Sequence, residues 1–536
     1  MRLDFMIVPS VLALSAVVNH LATILRSSPG FQHAAVVRLL STGVYLSKNA
    51  LMTNASFSAS DHLTKVTSLL KSGEAAQVRE LIDWLKIPSI STDPEYKKHC
   101  VAAAQWASDH LAASGFKSAL RETGTKDSPG HPIVLAHAPG APSYKGPHIL
   151  FYGHYDVQPA DPLELWNSPP FTPKLVDDAS GKDGPPRIIA RGAVDDKGQV
   201  MMFLSAMRAW KEVSGLAAGG VKVTVLLEGE EESGSVHLDA FIDANNTELG
   251  ECKVCVISDT GMLDRGKPAI TYGVRGLAYT EVILHGANQD LHSGMWGGKS
   301  PNPISELVKV LAQLWDKDRR VTIPGFYDRV RPIAQSERDE WNKLGINPSE
   351  ALKKIGFPPD ANVGEAGYSF TEREWARPTA ELNGIVGGYT GKGAKTVIPS
   401  HASAKVSFRL VADQDPIEIT KSFFKWCSDR TPPGCRWELI DHHGGNPATV
   451  KTDSPELAAA ARAIERACGV RPALIKTGGS IPVAGSLKSK LGLETIFMGF
   501  GLDDDRVHSP NEKFELECLR MGTMSHAYLV DELLRM

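Results

Sequence analysis

The chain has 536 residues, enough to bury at least one large core and, with the domain sizes usual for α/β proteins, two. Charged residues make up 22% and the formal net charge is −4 without a basic block, which speaks against a nucleic-acid or anionic-membrane partner. Seven cysteines, an odd number in a long chain, argue against a disulfide framework and for a reducing compartment, hence a cytoplasmic protein.

The first 60 residues form an N-terminal extension. Phe5 to Val18 is mostly apolar, Arg2 precedes it, Arg26, Arg38 and Lys48 follow, and Asp4 is the sole acid before Asp61. Pro9, Ser10 and Ser15 interrupt the run, which is too short for a membrane span, so no stable membrane association is expected. A secretory signal, an organellar transit segment and a dispensable stretch upstream of Met52 stay open, the last being the favoured expectation.

Apolar residues recur at helical spacing from Asp61 to Trp84, and again from His99 to Gly115. His148-Ile-Leu-Phe-Tyr-Gly-His-Tyr-Asp-Val157 reads as a strand buried on both faces. On an extended backbone its His154 and Asp156 point to one side. Ile188 to Gly198 leads into a helix over 199–213; Val221 to Leu227 and Val254 to Asp259 are further buried strands. The pair Cys252 and Cys255 lies at the latter strand without a second pair nearby, and reads as core cysteines rather than a metal site. Alternating strands and helices predict an α/β fold, a doubly wound and mostly parallel sheet. Near Gly273 the texture changes. Leu277 to Leu284 alternates, a helix follows Pro303, residues 318–380 read as irregular, and strands at 405–411 and 436–440 flank a helix over 416–427. This predicts a smaller α+β domain over residues 273–444, inserted into a catalytic domain of residues 61–272 and 445–536.

The carboxyl ends of the predicted strands carry the chemistry. His154 and Asp156 close one, Glu230, Glu231 and Glu232 another, and Asp259 a third; Asp195 lies in a Gly-flanked turn, and His508 follows the strand at 495–498. Ligand sites in open α/β sheets form beyond these ends. So many carboxylates at one rim repel one another unless cations lie between them, which points to two metal ions and a hydrolytic reaction.

Gly153-His-Tyr-Asp-Val157, Gly192-Ala-Val-Asp-Asp-Lys-Gly198, Glu228-Gly-Glu-Glu-Glu-Ser-Gly-Ser235, Ser258-Asp259, Asp290-Leu-His-Ser-Gly294 and His508-Ser-Pro-Asn-Glu-Lys513 resemble the M20 metallopeptidases. Within that family they look most like the cytosolic non-specific dipeptidase and carnosinase branch. The resemblance runs from about residue 75 to the C-terminus.

It implies one ion held by His154, Asp195 and Asp259 and a second by Asp195, Glu232 and His508, with zinc the first expectation and manganese or cobalt the others. It makes Glu231 the general base and Asp156 the carboxylate that orients His154; Glu230, an extra acid in the run, reads as a solvent-facing neighbour. The inserted domain becomes a ferredoxin-like lid and dimerisation domain, whose His292 completes the site of the partner subunit in a homodimer. Thr396, Arg409, His443 and Ser480 fall in segments resembling the substrate-binding elements; Arg409 suits a carboxylate, or a plain surface ion pair. Thr477 stands where some dipeptidases of the branch carry an acid. The implied activity is hydrolysis of dipeptides or short peptides with a free N-terminus. An N-acyl-amino-acid deacylase with the same metal centre is the alternative, and a non-catalytic metal-binding protein a third reading.

Overall fold

The computed structural model describes residues 59–177, 182 and 184–536, and the expectations for residues 1–58 fall outside them. Helix α1 (Ala59–Leu85) buries Leu63, Val66, Val78, Leu81 and Trp84 along one stripe, and α2 (Lys97–Ala113) follows. The first strands are β1 (Lys117–Arg121), β2 (Ile133–Pro139) and β3 (Ile149–His154), and every residue of β3 is buried. Helix α3 (Lys197–Ser214) stops at Gly215 in the left-handed conformation. Next come β4 (Lys222–Glu228), β5 (Val254–Ile257) and β6 (Ala269–Val274).

From β6 the chain passes through Arg275 into a second sheet of β7 (Gly276–His285), β8 (Thr379–Gly387), β9 (His401–Leu410) and β10 (Arg436–Gly445). Helix α4 (Pro303–Leu311) starts from the Asn302 cap with Pro303 in its first turn, and α6 (Pro416–Ser428) from the Asp415 cap; between them, after β7, lies the short α5 (Phe370–Trp375). The chain then returns through β11 (Ala448–Thr449), α7 (Pro455–Cys468), β12 (Ala473–Thr477), β13 (Glu494–Phe497) and α8 (Leu516–Leu534).

Among the described residues the large sheet has nine strands, in the order β1-β2-β4-β3-β5-β13-β6-β11, with β12 also beside β6. The expectation of a mostly parallel sheet is corrected here. β4-β3-β5-β13 is a parallel block and β12 is parallel to β6, but β1-β2, β2-β4, β13-β6 and β6-β11 pair antiparallel. Strands β1 and β2 escaped the sequence reading. β1 alternates exposed and half-buried, and β2 ends on Ala-His-Ala-Pro, so neither gives the all-apolar run of β3.

The small sheet is antiparallel throughout, ordered β8-β9-β7-β10, in a β-α-β-β-α-β sequence of elements. Burial along β7 alternates residue by residue, as one covered face requires. That face packs Val282 and Leu284 against Leu307 and Leu311 of α4 and Phe423 and Trp426 of α6. Within the stretch read as irregular, helices at Gln335–Lys343, Pro348–Lys354 and Phe370–Trp375 form, and Trp341 and Trp375 pack edge to face over Tyr272 and Ile475. β8 also begins there. Its mostly exposed side chains hide the strand from a search for apolar alternation.

Candidate metal centre

Strands β3 and β4 run parallel with His154 level with Glu228, so the residues after both emerge at one rim, where β5 also ends. Gly153 is needed there: a Cβ would lie 2.6 Å from Val200 Cγ2 and 2.9 Å from Asp196 Oδ2. The contact lets Asp196 Oδ2 accept the His154 N–H at 3.2 Å. On the other side of the rim, Gly192 turns at φ 83°, where only glycine is unstrained, and brings Asp195 to the start of α3.

Two groups of donor atoms converge, each within 4.8 Å: His154, Asp195 and Asp259, and Asp195, Glu232 and His508. His154 Nε2 lies 3.1 Å from Asp195 Oδ1 and 3.8 Å from Asp259 Oδ2. His508 Nε2 lies 2.9 Å from Asp195 Oδ2 and 3.2 Å from Glu232 Oε2. Asp195 thus turns one oxygen to each group. His154 Nε2 is fully buried and, although 3.1 Å from Asp195 Oδ1, makes no well-aligned hydrogen bond among the described residues, a demand that a cation satisfies. Its Nδ1 is occupied, 3.2 Å from the Asp156 carbonyl and 3.3 Å from Asp156 Oδ1. Asp156 Oδ2 accepts the Glu232 N–H at 3.1 Å, so Asp156, through its carbonyl and its carboxylate, contacts a member of each group.

The electrostatics fit two cations. Burial and the neighbouring Asp195 carboxylate push Glu232 up to about 7 and Asp259 up to about 6. Glu231 is raised well above the usual carboxylate range by burial and by Asp259 and Glu232. Hydrogen bonds to Asp195 and Glu232 raise His508 to about 10. His154 also rises despite its burial, through Asp156 and Asp195. Without metal, then, protons and imidazolium charges neutralise the rim; divalent ions would take their place. A set of two imidazoles and three carboxylates suits zinc, manganese or cobalt.

Glu231 and Glu232 lie in a single tight turn, Glu231–Ser233. Successive residues of such a turn point in different directions, so the three glutamates cannot share one role. Glu230 therefore points inward, and the expectation of a solvent-facing neighbour is corrected. It is 7% exposed, lies 2.9 Å from His237 Nδ1 and accepts the His131 N–H at 3.1 Å.

Some supporting residues gave no signal of their own in the sequence. Gln158 Nε2 donates to Glu232 Oε2 at 2.8 Å. The fully buried Glu512 accepts from Arg191 Nη1 and the Gly192 N–H through Oε2, and from the Val194 and Asp195 N–H groups through Oε1, at 2.8 to 3.1 Å. The loop carrying Asp195 is folded around this one carboxylate. Glu512 stood in the quoted His508–Lys513 segment, and its buried environment was what the sequence could not reveal.

The remaining predicted residues lie on the small sheet and on the loop after β12. Arg409 Nη1 donates to Ser480 Oγ at 2.7 Å, linking β9 to that loop. Burial lowers the Arg409 guanidinium, and no ion pair to it forms among the described residues, so the surface-ion-pair alternative does not hold. His292 and Thr396 share one corner: Leu291–His292 pairs with Val397–Ile398, and the Thr396 carbonyl accepts the Ser293 N–H at 3.0 Å. His292 is exposed, its Nδ1 accepts the Gly294 N–H, and among the described residues it makes no contact with either donor group. The backbone of His443 lies opposite Tyr279, while its side chain falls outside what the structure describes.

Residues 150–532 match the sequence family described as peptidase family M20/M25/M40. The chain is 32% identical to the Cys-Gly metallodipeptidase DUG1 of Candida albicans, over 83% of this chain and 93% of that one. It is 29% identical to the human Beta-Ala-His dipeptidase over 84% and 89%. Among solved structures, the dipeptidase Dug1p of Saccharomyces cerevisiae superposes with a TM-score of 0.76 at 29% identity, covering 88% of this chain and 99% of that one.

Proposed function

The chain belongs to peptidase family M20/M25/M40, and we propose that within it the protein is a two-metal dipeptidase acting on dipeptides with a free N-terminus. The observation that carries this reading is the division of Asp195 between the two donor groups, with Glu231 within electrostatic reach of His154, Asp195, Glu232 and Asp259. His154, Asp195 and Asp259 would hold one ion and Asp195, Glu232 and His508 the other, zinc first, then manganese or cobalt. When bound, the ions supply Lewis acidity that acidifies water and polarises the scissile carbonyl.

The protein's own part follows from its residues. Asp156 keeps His154 in one tautomer and one orientation. Arg409, steadied by Ser480, takes the substrate carboxylate, with Thr396 and His443 completing the contacts. Glu231 removes a proton from the attacking water and returns it to the leaving amine, so the amide C–N bond breaks as the new C–O bond forms. Its environment suits the task, since the burial that raises its carboxyl makes it a stronger base than a solvated glutamate.

We place residues 273–444 as a lid and dimerisation domain of ferredoxin-like form, between catalytic segments 61–272 and 445–536, in a homodimer whose His292 stabilises the oxyanion of the partner's site. Exposed Leu382, Ile385 and Val386 on edge strand β8, with Met295 and Trp296 beside His292, support an interface between copies. No helix among the described residues is long and apolar enough to cross a membrane, and all seven cysteines are unpaired, which supports a reducing, cytoplasmic setting.

The test is hydrolysis by protein stripped of metal and reloaded with zinc or manganese, offered a free dipeptide and its N-acetylated counterpart. Metal-dependent cleavage of the free dipeptide is expected. Cleavage of the acylated compound alone would replace this reading with the deacylase one, which the relatives' names do not favour.

A further inference from the structure

A dipeptide carries an ammonium group and a carboxylate, and a site that tells it from an acylated amino acid needs an anion free to meet the ammonium. The metal-binding carboxylates are committed to cations, so the anion must come from elsewhere. Arg409 and Ser480 mark the loop after β12 as the place to search.

That loop is held in a defined shape. The Arg275 N–H donates to the Gly479 carbonyl at 3.0 Å and Arg275 Nε to the Gly478 carbonyl at 3.1 Å. On its other side, Glu374 Oε1 accepts the Gly478 N–H at 3.2 Å. Glu374 comes from α5, more than a hundred residues earlier in the chain. Its residue is exposed, Oε2 has no hydrogen bond and the carboxylate no ion pair among the described residues, although Arg275 lies within electrostatic reach. It faces an open cavity of about 300 Å³ that Thr477 also lines. Four carboxylates line this cavity, Asp264, Glu350, Glu374 and Asp503, and Glu374 alone is bonded to the loop that holds Ser480. Thr477 contributes a hydroxyl, which accepts the Gly479 N–H and cannot neutralise a cation.

The spacing matches the ligand. Gly478 and Ser480 are two residues apart, at most about 7 Å, and the ends of an extended dipeptide, also two residues, lie a comparable length apart.

We propose that Glu374 is the specificity-determining anion of this enzyme, pairing with the substrate's N-terminal ammonium while Arg409 and Ser480 hold the carboxylate at the other end. The loop between them then acts as a ruler for two residues. This assignment rests on the dipeptidase reading.

The experiment uses the metal-loaded full chain, a free dipeptide as substrate and its des-amino analogue as competitive inhibitor. Glu374→Gln keeps an oxygen to accept the Gly478 N–H and removes only the charge. It is expected to raise KM for the dipeptide roughly 10- to 100-fold, the range for a lost charged hydrogen bond. The Ki of the des-amino analogue and kcat stay near wild type. Adding Thr477→Glu to that variant returns a carboxylate to the loop and restores KM, which a purely structural role for Glu374 would not allow. Asp503→Asn leaves KM unchanged. An unchanged KM in Glu374→Gln overturns the proposal, as does a parallel loss of dipeptide and des-amino binding, or a loss seen only in Asp503→Asn. If the wild type cleaves only the acylated compound, the dipeptidase reading fails first and this assignment with it.

Discussion

Removing the carboxylate of Glu512 should cost both metal affinity and stability, and the structure sets the size of the effect. The side chain is fully buried and its two oxygens accept four hydrogen bonds, three of them from backbone N–H groups of the loop that ends at Asp195. Glu512→Ala leaves those N–H groups without partners, each costing about 1–3 kcal/mol if water does not reach them. It also leaves the Arg191 guanidinium, 1% exposed, as an unpaired buried charge, a loss of about 3–5 kcal/mol when one partner of such a pair is deleted. These costs overlap, so a net loss of about 4–6 kcal/mol is expected, a large share of a typical folding free energy of about 5–15 kcal/mol. Glu512→Gln should cost less, because its amide oxygen still accepts two bonds while its NH₂ faces two donors. In both variants the Asp195 carboxylate shared by the two donor groups loses its support, and metal affinity should fall by about 10- to 100-fold, as for other residues that orient metal ligands. Chelator competition reads the affinity, and urea unfolding of the metal-free protein reads the stability. A Glu512→Gln protein that binds two ions as tightly as wild type would refute the claim that this carboxylate shapes the Asp195 loop.

The buried His526 predicts a specific pH response. Burial pushes it down to about 3, and its Nε2 lies 2.9 Å from Ser258 Oγ beside Asp259. Below about 6.5 the unfolded chain protonates this ring while the folded protein does not until about pH 3, so stability falls with pH across that window, by at most about 5 kcal/mol. His526→Gln keeps a partner for Ser258 and should flatten this part of the urea-unfolding profile; a profile identical to wild type would show that the ring does not contribute. The roles of Glu231 and His292 are tested together. Glu231→Gln and His292→Ala should each be inactive with metal content intact, and mixing them should restore about a quarter of wild-type activity, because half of the dimers then hold one complete site. Mixtures as inactive as their components would show that His292 does not act across subunits.

The local features of this protein were legible because they depend on near neighbours in the chain. The apolar run of β3, the helices that open at Pro303 and Pro416, and the acids closing the strands are each a matter of a few residues. Even the residues that converge at the rim could be named, since parallel strands necessarily present their carboxyl ends together. The tertiary structure decided what needs distant partners. One antiparallel flank of the sheet depends on β1 and β2, whose weak patterns are overridden when β2 pairs with β4 and β1 with β2. Glu230 and Glu231 are adjacent and chemically identical. The first lies against His237 and the second within electrostatic reach of His154, Asp195, Glu232 and Asp259, a distinction of direction that composition cannot carry. Glu512 and Glu374 reach Asp195 and Gly478 across some 317 and 104 residues. A carboxylate's task is set by the donors and cavities around it, and those exist only once the chain has folded.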